Sequence, residues 1–455
     1  MILIVDENSL RVVSSAMGMY KLTEHRVYLV EQLTKLRAPY RTSAPIYFLS
    51  PTEDSVNRLI ADWTPTKKRK EPLYADSVFV YFTNALPDDL FNKIKACRPL
   101  VKRLKALGEV NVDFITKQNR AFHLDMQSSE YFAKLYRTGT AGFNSPVENA
   151  IAEKLVTVCA SLNEYPHIRY KASSRIGSSL AKLFNEKFTS FIGKNNDWWY
   201  HGDGIHNEKG RATLLILSRT DDLLSPLIHE FTYEAMVKDL LEMEGDKVTV
   251  KADLEAGAKD VLLNDSDDVW VELRGKHIAD VIQILSSRIR DIVNSSTGVA
   301  LNKKGNQAKA LSLSQMANAL KALPEYQEVM SKLAQHMHIS HQCMDIFKKK
   351  GLLDLSDIEQ TLATGKTDEG RSPKVSEMVD TVVEQLESTP DSESRFRLLA
   401  IFIISQGGMK PGDQGRLFTA AKLGPAESKA LANLEALGIP LVQAMATGRM
   451  GSVMR

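Results

Sequence analysis

Ile46-Tyr-Phe-Leu-Ser-Pro-Thr-Glu-Asp-Ser-Val-Asn-Arg-Leu-Ile-Ala-Asp-Trp63 reads as a strand that runs into a helix. Residues 46–49 form an apolar run, short enough for a buried strand and rich in β-branched and aromatic side chains. Thr52 and Asp54 then occupy helix-start positions ahead of a helical pattern over 55–63. The same unit repeats on either side. Further strand-like runs lie at 2–5, 27–30, 78–82 and 110–115, with helical patterns at 9–19 and 88–107. Pro87, Asp88 and Asp89 place proline and acid in the first turn of the latter. Alternating strands and helices, with strands that are nearly continuous in apolar residues, predict a parallel sheet covered on both faces.

Downstream, Ser145-Pro-Val-Glu148 is a capping box with proline at the first helical position. It opens a helix with Val147, Ile151, Leu155, Val158 and Leu162 on one face, which ends before Pro166. A second strand–helix region follows, with 214–217 (LLIL) as its clearest buried strand and 194–210 as a loop. Beyond about residue 223 the period becomes helical, at 226–241, 270–293, 311–323, 325–347, 375–386 and 395–405. Pro324 separates two apolar stripes, Leu311–Leu313–Met316–Leu320–Leu323 and Tyr326–Val329–Met330–Leu333–Met337. Residues 302–307 and 364–372 read as linkers.

The chain has 455 residues, and its 58 Lys plus Arg nearly balance 56 Asp plus Glu, which excludes a globally basic nucleic-acid binder. At 43% hydrophobic and 25% charged residues it is ordinary globular material of more than one domain. Three scattered cysteines, Cys97, Cys159 and Cys343, offer neither a disulfide framework nor a Cys-x-x-Cys metal site, which fits a reducing compartment. The opening MILIVDENSL lacks the basic and apolar regions of a secretory signal, and the apolar run 398–404 is too short to span a bilayer. A cytoplasmic location is expected.

Several strings imitate sites. Ala363-Thr-Gly-Lys-Thr367 resembles the end of a phosphate loop, but Gln360 stands where the first glycine belongs and a helix precedes it, so a solvated loop is the better reading. His336, His338 and His341 do not spell a His-Glu-x-x-His signature and read as partly exposed helix histidines. His201, Asp203 and His206 lie in the loop, and Lys67-Lys-Arg-Lys70 reads as a surface run. There is no Gly-x-Ser-x-Gly elbow, and Gly142 begins no dinucleotide fingerprint. Catalysis has no anchor; no metal and no cofactor are expected, and a binding protein is favoured over an enzyme.

Four groups of strings, in order and at matching spacing, resemble the SM (Sec/Munc) family of regulators of SNARE-mediated membrane fusion. They are Glu164-Tyr-Pro-His-Ile-Arg-Tyr170; Leu214-Leu-Ile-Leu-Ser-Arg219 with Asp222, Ser225-Pro-Leu-Ile-His-Glu230 and Thr232-Tyr-Glu-Ala-Met236; Asp267-Asp-Val-Trp270 with Arg274, Lys276-His-Ile-Ala279 and Val281; and Leu313-Ser-Gln-Met316 through Leu323-Pro-Glu-Tyr-Gln327. The strings around Pro324 resemble the exocytic, plasma-membrane branch. The resemblance runs from Ile2 to about Val442.

The resemblance implies an arch of three domains: an α/β domain over 1–111, a second parallel α/β domain over 112–222 and a mainly helical domain over 223–445, with a divergent tail at 446–455. It implies a monomeric, non-enzymatic SNARE regulator that binds syntaxin, both in its closed form and through its N-terminal peptide. It would template the vesicle SNARE of the synaptobrevin type, bind the assembled SNARE complex, and reach the membrane through these partners. Relative to the family both ends look short, and the second sheet is expected to lack strands and to expose an edge and apolar faces. Two other readings stay open, a nucleotide-dependent enzyme on the first domain and a general helical scaffold. The first lacks a glycine-rich turn after Val5.

Carried over residue by residue, the syntaxin cleft falls on Asp6, Arg11, Glu31, Lys35 and Arg37. Read alone, Glu31 and Lys35 could be a helical surface pair worth about 0.3–0.5 kcal/mol. A family lysine in this surface is Gly18 here, which weakens the ionic match. The N-peptide pocket falls on Leu86, Phe91, Leu104, Leu107 and Glu109, of which Phe91, Leu104 and Leu107 could instead face the core of a helix pair. Pro324 maps to the tip of a helical hairpin. Proline inside a helix costs about 3 kcal/mol, so it favours a bend, and Pro324→Ala is expected to raise vesicle-SNARE binding. Met337 maps to a vesicle-SNARE contact, with ordinary packing as the alternative.

Overall fold

The computed structural model describes residues 1–40, 42–65, 71–74, 77–126, 128–136, 145–195, 210–251, 258–301 and 327–444. The basic run 67–70, Gly142, the histidines at 201 and 206 with Asp203, the linker 302–307, the stripe 311–323 with Pro324, and the tail 446–455 lie outside the described residues. The chain divides into two compact units, Met1–Ser218 and Arg219–Arg455.

The first unit begins with β1 (Ile2–Val5), α1 (Glu7–Ala16), α2 (Met19–Glu24), β2 (Leu29–Gln32), β3 (Pro45–Leu49), α3 (Glu53–Trp63), β4 (Val78–Phe82), α4 (Asp88–Ala96), α5 (Arg98–Val101) and β5 (Leu104–Glu109). The five strands form one parallel sheet in the order β2-β1-β3-β4-β5. One face buries Ile2, Ile4, Tyr47, Leu49, Val80 and Phe82 against Val56, Leu59 and Trp63 of α3 and Leu90 and Ile94 of α4. The other buries Leu3 and Val5 against Leu10 and Val13 of α1. Both faces are covered, as continuous apolar strands require.

Several element boundaries differ from the sequence expectation. The helix expected over 88–107 breaks at Cys97, because Pro99 has no N–H to donate and its ring opposes the carbonyl one turn back. The chain re-enters the sheet at Leu104, so the fifth strand is 104–109 and not 110–115. The second strand lies two residues beyond the run 27–30, at Leu29–Gln32.

Next come β6 (Ile115–Gln118), β7 (Ala121–His123), α6 (Ser128–Tyr136), α7 (Pro146–Leu162), β8 (His167–Tyr170), α8 (Arg175–Lys194) and β9 (Thr213–Ile216). Ser145 caps α7 by accepting from the Glu148 N–H at 3.2 Å. Glu148 does not complete the box; its buried carboxylate turns to the Ser179 hydroxyl at 2.7 Å. Helices α7 and α8 build a core of Val156, Leu183, Phe184 and Phe188. β8 and β9 pair in parallel as a two-stranded sheet. The strand expected to be buried is half open: Leu215 is 58% and Leu217 67% exposed.

In the second unit, the helix expected over 226–241 is confined to α9 (Tyr233–Leu240). It is followed by an antiparallel sheet that the periodicity reading missed, β10 (Met243–Glu244), β11 (Lys247–Lys251) and β12 (Ala258–Leu262). The expected helix 270–293 is two helices, α10 (Asp268–Leu273) and α11 (Ile278–Leu301), parted at Gly275. The helices Gln327–Lys350, Leu352–Thr364, Val375–Ser388, Ser392–Gln406, Gln414–Ala421 and Pro425–Ala432 complete the unit. One core packs α9–α11 and the β-sheet against Gln327–Lys350; another gathers the later helices around Leu398–Ile403. Among the described residues, no helix is long and apolar enough to cross a membrane.

Candidate functional site

In an open parallel sheet, a ligand crevice opens where successive connections leave on opposite sides. Here that point lies between β1 and β3. Asp6 follows β1 and caps α1, accepting from the Ser9 N–H at 2.8 Å. Its other oxygen accepts from the Ser50 N–H at 2.6 Å and the Ser55 hydroxyl at 2.8 Å. Asn8 donates to Ser50 Oγ at 3.0 Å and to Asp113 Oδ1 at 3.2 Å, and Asp113 is salt-bridged to Lys154 at 2.7 Å. The crevice is thus filled by the chain's own polar side chains. Asp6, expected in the cleft, is 8% exposed and its carboxylate ties two strand–helix turns together.

Arg37, also expected in the cleft, is likewise held by the chain's own side chains. Its side chain is 6% exposed and is salt-bridged to Asp62 at 2.8 Å, with further bonds to Leu33 O and Tyr74 Oη. Tyr47 donates to the same carboxylate at 2.8 Å. Burial and the negative charge of Asp62 push the Tyr47 phenol well above its ordinary pKa, so the hydroxyl stays a donor. Arg37 therefore anchors the turn after β2.

The other cleft residues reach solvent. Arg11 bridges Asp125 at 2.7 Å and Glu7 at 2.9 Å while half exposed. Glu31 lies on β2 and accepts from Tyr74 Oη at 3.3 Å. Lys35 is exposed in the turn beyond β2, so the helical spacing that would pair it with Glu31 is absent. Beside it, Leu36 is fully exposed. Met19, Tyr20 and Tyr28 add exposed apolar surface on α2 and ahead of the edge strand β2.

The expected N-peptide residues separate into two groups. Glu109 accepts from the Leu86 N–H at 2.7 Å, which joins the loop after β4 to the end of β5. Both line a crevice of about 400 Å³ with Asn84, Val156, Phe191 and Lys194. Phe91 lies on α4 with 43% of its surface exposed. Leu104 and Leu107 are strand residues packed partly against the core, not helix residues.

On Gln327–Lys350, Met337 is 8% exposed and packed with Met330 and Leu333. Next to it His336, expected to be partly exposed, is fully buried. Its Nε2 meets Asp267 at 3.0 Å and its Nδ1 meets Tyr233 Oη at 3.0 Å, while its ring stacks on Trp270. Burial lowers the imidazole pKa against the opposing pull of Asp267. A second buried pair, His229 with Glu359 at 2.9 Å, joins the segment ahead of α9 to the helix Leu352–Thr364. Burial pushes the thiols of Cys159 and Cys343 up to about 12, which leaves them inert. No cluster of three metal-ligating side chains occurs among the described residues.

These networks escaped the sequence reading because their partners lie far apart: Arg37 and Asp62 by 25 positions, His336 and Asp267 by 69, His229 and Glu359 by 130. The missed sheet did leave a signal, the alternation of Val248 and Val250 in Lys-Val-Thr-Val-Lys after a Gly-Asp turn.

The sequence profile described as the Sec1 family matches residues 1–449. Protein transport protein sec1 of Dictyostelium discoideum is 35% identical over 447 residues, which is 97% of this chain and 70% of that protein. SNARE-interacting protein KEULE of Arabidopsis thaliana is 31% identical over 452 residues, 96% of this chain and 65% of that one. The chain spans about two thirds of the length of these relatives. Among solved structures, the Unc18–syntaxin 1 complex from Monosiga brevicollis contains a chain that matches with a TM-score of 0.84 at 25% identity, over 100% of this chain and 77% of that one.

Proposed function

The chain belongs to the Sec1 family, and from that membership we propose that it is a SNARE regulator acting in vesicle docking and exocytosis. It binds a syntaxin-type t-SNARE, in the closed form and through the N-terminal peptide, and promotes assembly of the SNARE bundle. The observation that carries this reading is the likeness, over the whole chain, to a protein solved with syntaxin 1. The name of the SNARE-interacting relative supports it. The vesicle SNARE and the assembled complex are its further partners. It works as a monomer in the cytoplasm, held at the plasma membrane by the t-SNARE. It acts by contact, without bond chemistry, a reading supported by a sheet crevice filled with its own side chains.

In this proposal Arg11, Glu31 and Lys35 meet the t-SNARE. Leu86, Phe91 and Glu109, backed by Leu104 and Leu107, receive the N-terminal peptide. Pro324 and Met337 serve the vesicle SNARE. The domains divide near residues 111 and 222. The test is calorimetry of the full chain with a cytosolic syntaxin fragment, with and without its N-terminal peptide, and with nucleotide. Nanomolar affinity that weakens on removal of the peptide, and no nucleotide binding, is expected. Indifference to every plasma-membrane t-SNARE offered refutes the proposal.

A further inference from the structure

Six Ser-Pro or Thr-Pro dipeptides stand in the chain, at Ser50, Thr64, Ser145, Ser225, Ser372 and Thr389. The fold engages the hydroxyl of all but one. Ser50 is buried and donates to Asp6. Thr64 Oγ1 donates to Ile60 O at 2.8 Å. Ser145 caps α7, and Ser225 donates to Asp222. Thr389 is buried and donates to Gln385 O at 2.8 Å.

Ser372 differs from the other five. It is exposed, in a stretch without helix or strand between Leu352–Thr364 and Val375–Ser388. Its hydroxyl makes no hydrogen bond to the described residues. Arg371 precedes it and Pro373-Lys374 follow. A kinase must bring the acceptor hydroxyl in line with the phosphoryl group beside its catalytic carboxylate, which needs a free hydroxyl on accessible, open backbone. Proline at the next position has no N–H, so it suits an enzyme whose pocket asks for none there.

We propose that Ser372 is a phosphorylation site for a proline-directed kinase and that Arg371 holds the phosphate. Ser372 Oγ takes the γ-phosphoryl group of a nucleoside triphosphate. The new O–P bond forms as the bond to the departing nucleoside diphosphate breaks, and the hydroxyl proton passes to the carboxylate of the kinase. Arg371 is now paired with Glu377 on the helix Val375–Ser388, and both side chains are exposed. The phosphate carries about −1.5 to −2 charges at pH 7 and three strong acceptor oxygens, so it displaces a single carboxylate as the partner of the guanidinium. The turn beneath is already ordered: the Thr367 N–H donates to Arg371 O at 2.8 Å and the Gly370 N–H to Thr367 O at 2.7 Å.

The test treats the full chain, folded and urea-unfolded, with a proline-directed kinase and Mg-ATP, and maps phosphate by mass spectrometry. In the folded chain Ser372 is expected to be modified at least tenfold faster than the other five sites, a preference that collapses on unfolding. Ser372→Ala is expected to remove the labelling of the folded chain. In the phosphorylated chain the amides of residues 375–378 are expected to exchange more slowly, and Arg371→Gln, phosphorylated to the same extent, to lose that protection. Absence of phosphate at Ser372 in the folded chain, or undiminished labelling of Ser372→Ala, overturns the site. Equal exchange in the two phosphorylated chains overturns the role of Arg371.

Discussion

Asp6→Ala separates a residue that holds the fold from one that holds a partner. Asp6 accepts from the backbone N–H of Ser9 and Ser50 and from the hydroxyls of Ser50 and Ser55, all at 2.6–3.2 Å. Truncation removes the cap of α1, worth about 1 kcal/mol. It also strands the buried Ser50 N–H, at about 1–3 kcal/mol. The serine hydroxyls can turn to each other or to Asn8, and they add little. The sum is about 3 kcal/mol, and for a unit of this size each kcal/mol lowers the midpoint by about 2–4 °C. The first unit, Met1–Ser218, should therefore melt about 6–12 °C lower, with the second unit unmoved. The assay is thermal unfolding followed by hydrogen exchange, which reads the two units separately, alongside calorimetry with a syntaxin fragment at a temperature where the variant is folded. Binding within about twofold of the parent is expected. An unchanged midpoint together with a tenfold loss of affinity refutes the reasoning and returns Asp6 to the binding surface.

Arg37→Ala leaves the buried Asp62 without its counter-charge, a loss of about 3–5 kcal/mol read as a lower urea midpoint of the first unit. A shift under about 1 kcal/mol, the value of an exposed pair, contradicts the burial. Stability of the second unit should fall with acid. Burial keeps the His336 pKa below the ordinary value of about 6.5, so the unfolded chain takes up a proton that the folded chain refuses. The contribution is whole above pH about 6.5 and is lost as the pH falls from there toward the lowered value. His336→Gln should flatten the difference in urea midpoint between pH 7.5 and pH 5.5, and an equal slope in the variant counts against this. Phe91→Ala, at a half-exposed site on α4, should cost stability under about 1 kcal/mol. It should weaken capture of the isolated syntaxin N-terminal peptide at least fivefold in fluorescence anisotropy, and unchanged capture removes Phe91 from the pocket.

The chain's local order alone determined the five-stranded parallel sheet, because apolar runs such as 2–5 and 46–49 with polar-faced helices between them bury well in few other arrangements. Spaced strings such as Glu164-Tyr-Pro and Asp267-Asp-Val-Trp270 likewise determined the family. Only the tertiary structure decided which charged residues face water. Spacing along a helix or strand reports neighbours within about four positions. The groups that bury Asp6 and Arg37 come from 25 to 49 positions away. Such pairings carry no local signature, so of two basic residues in one turn Lys35 stays exposed and Arg37 becomes a buried structural anchor, according to what long-range packing brings against each.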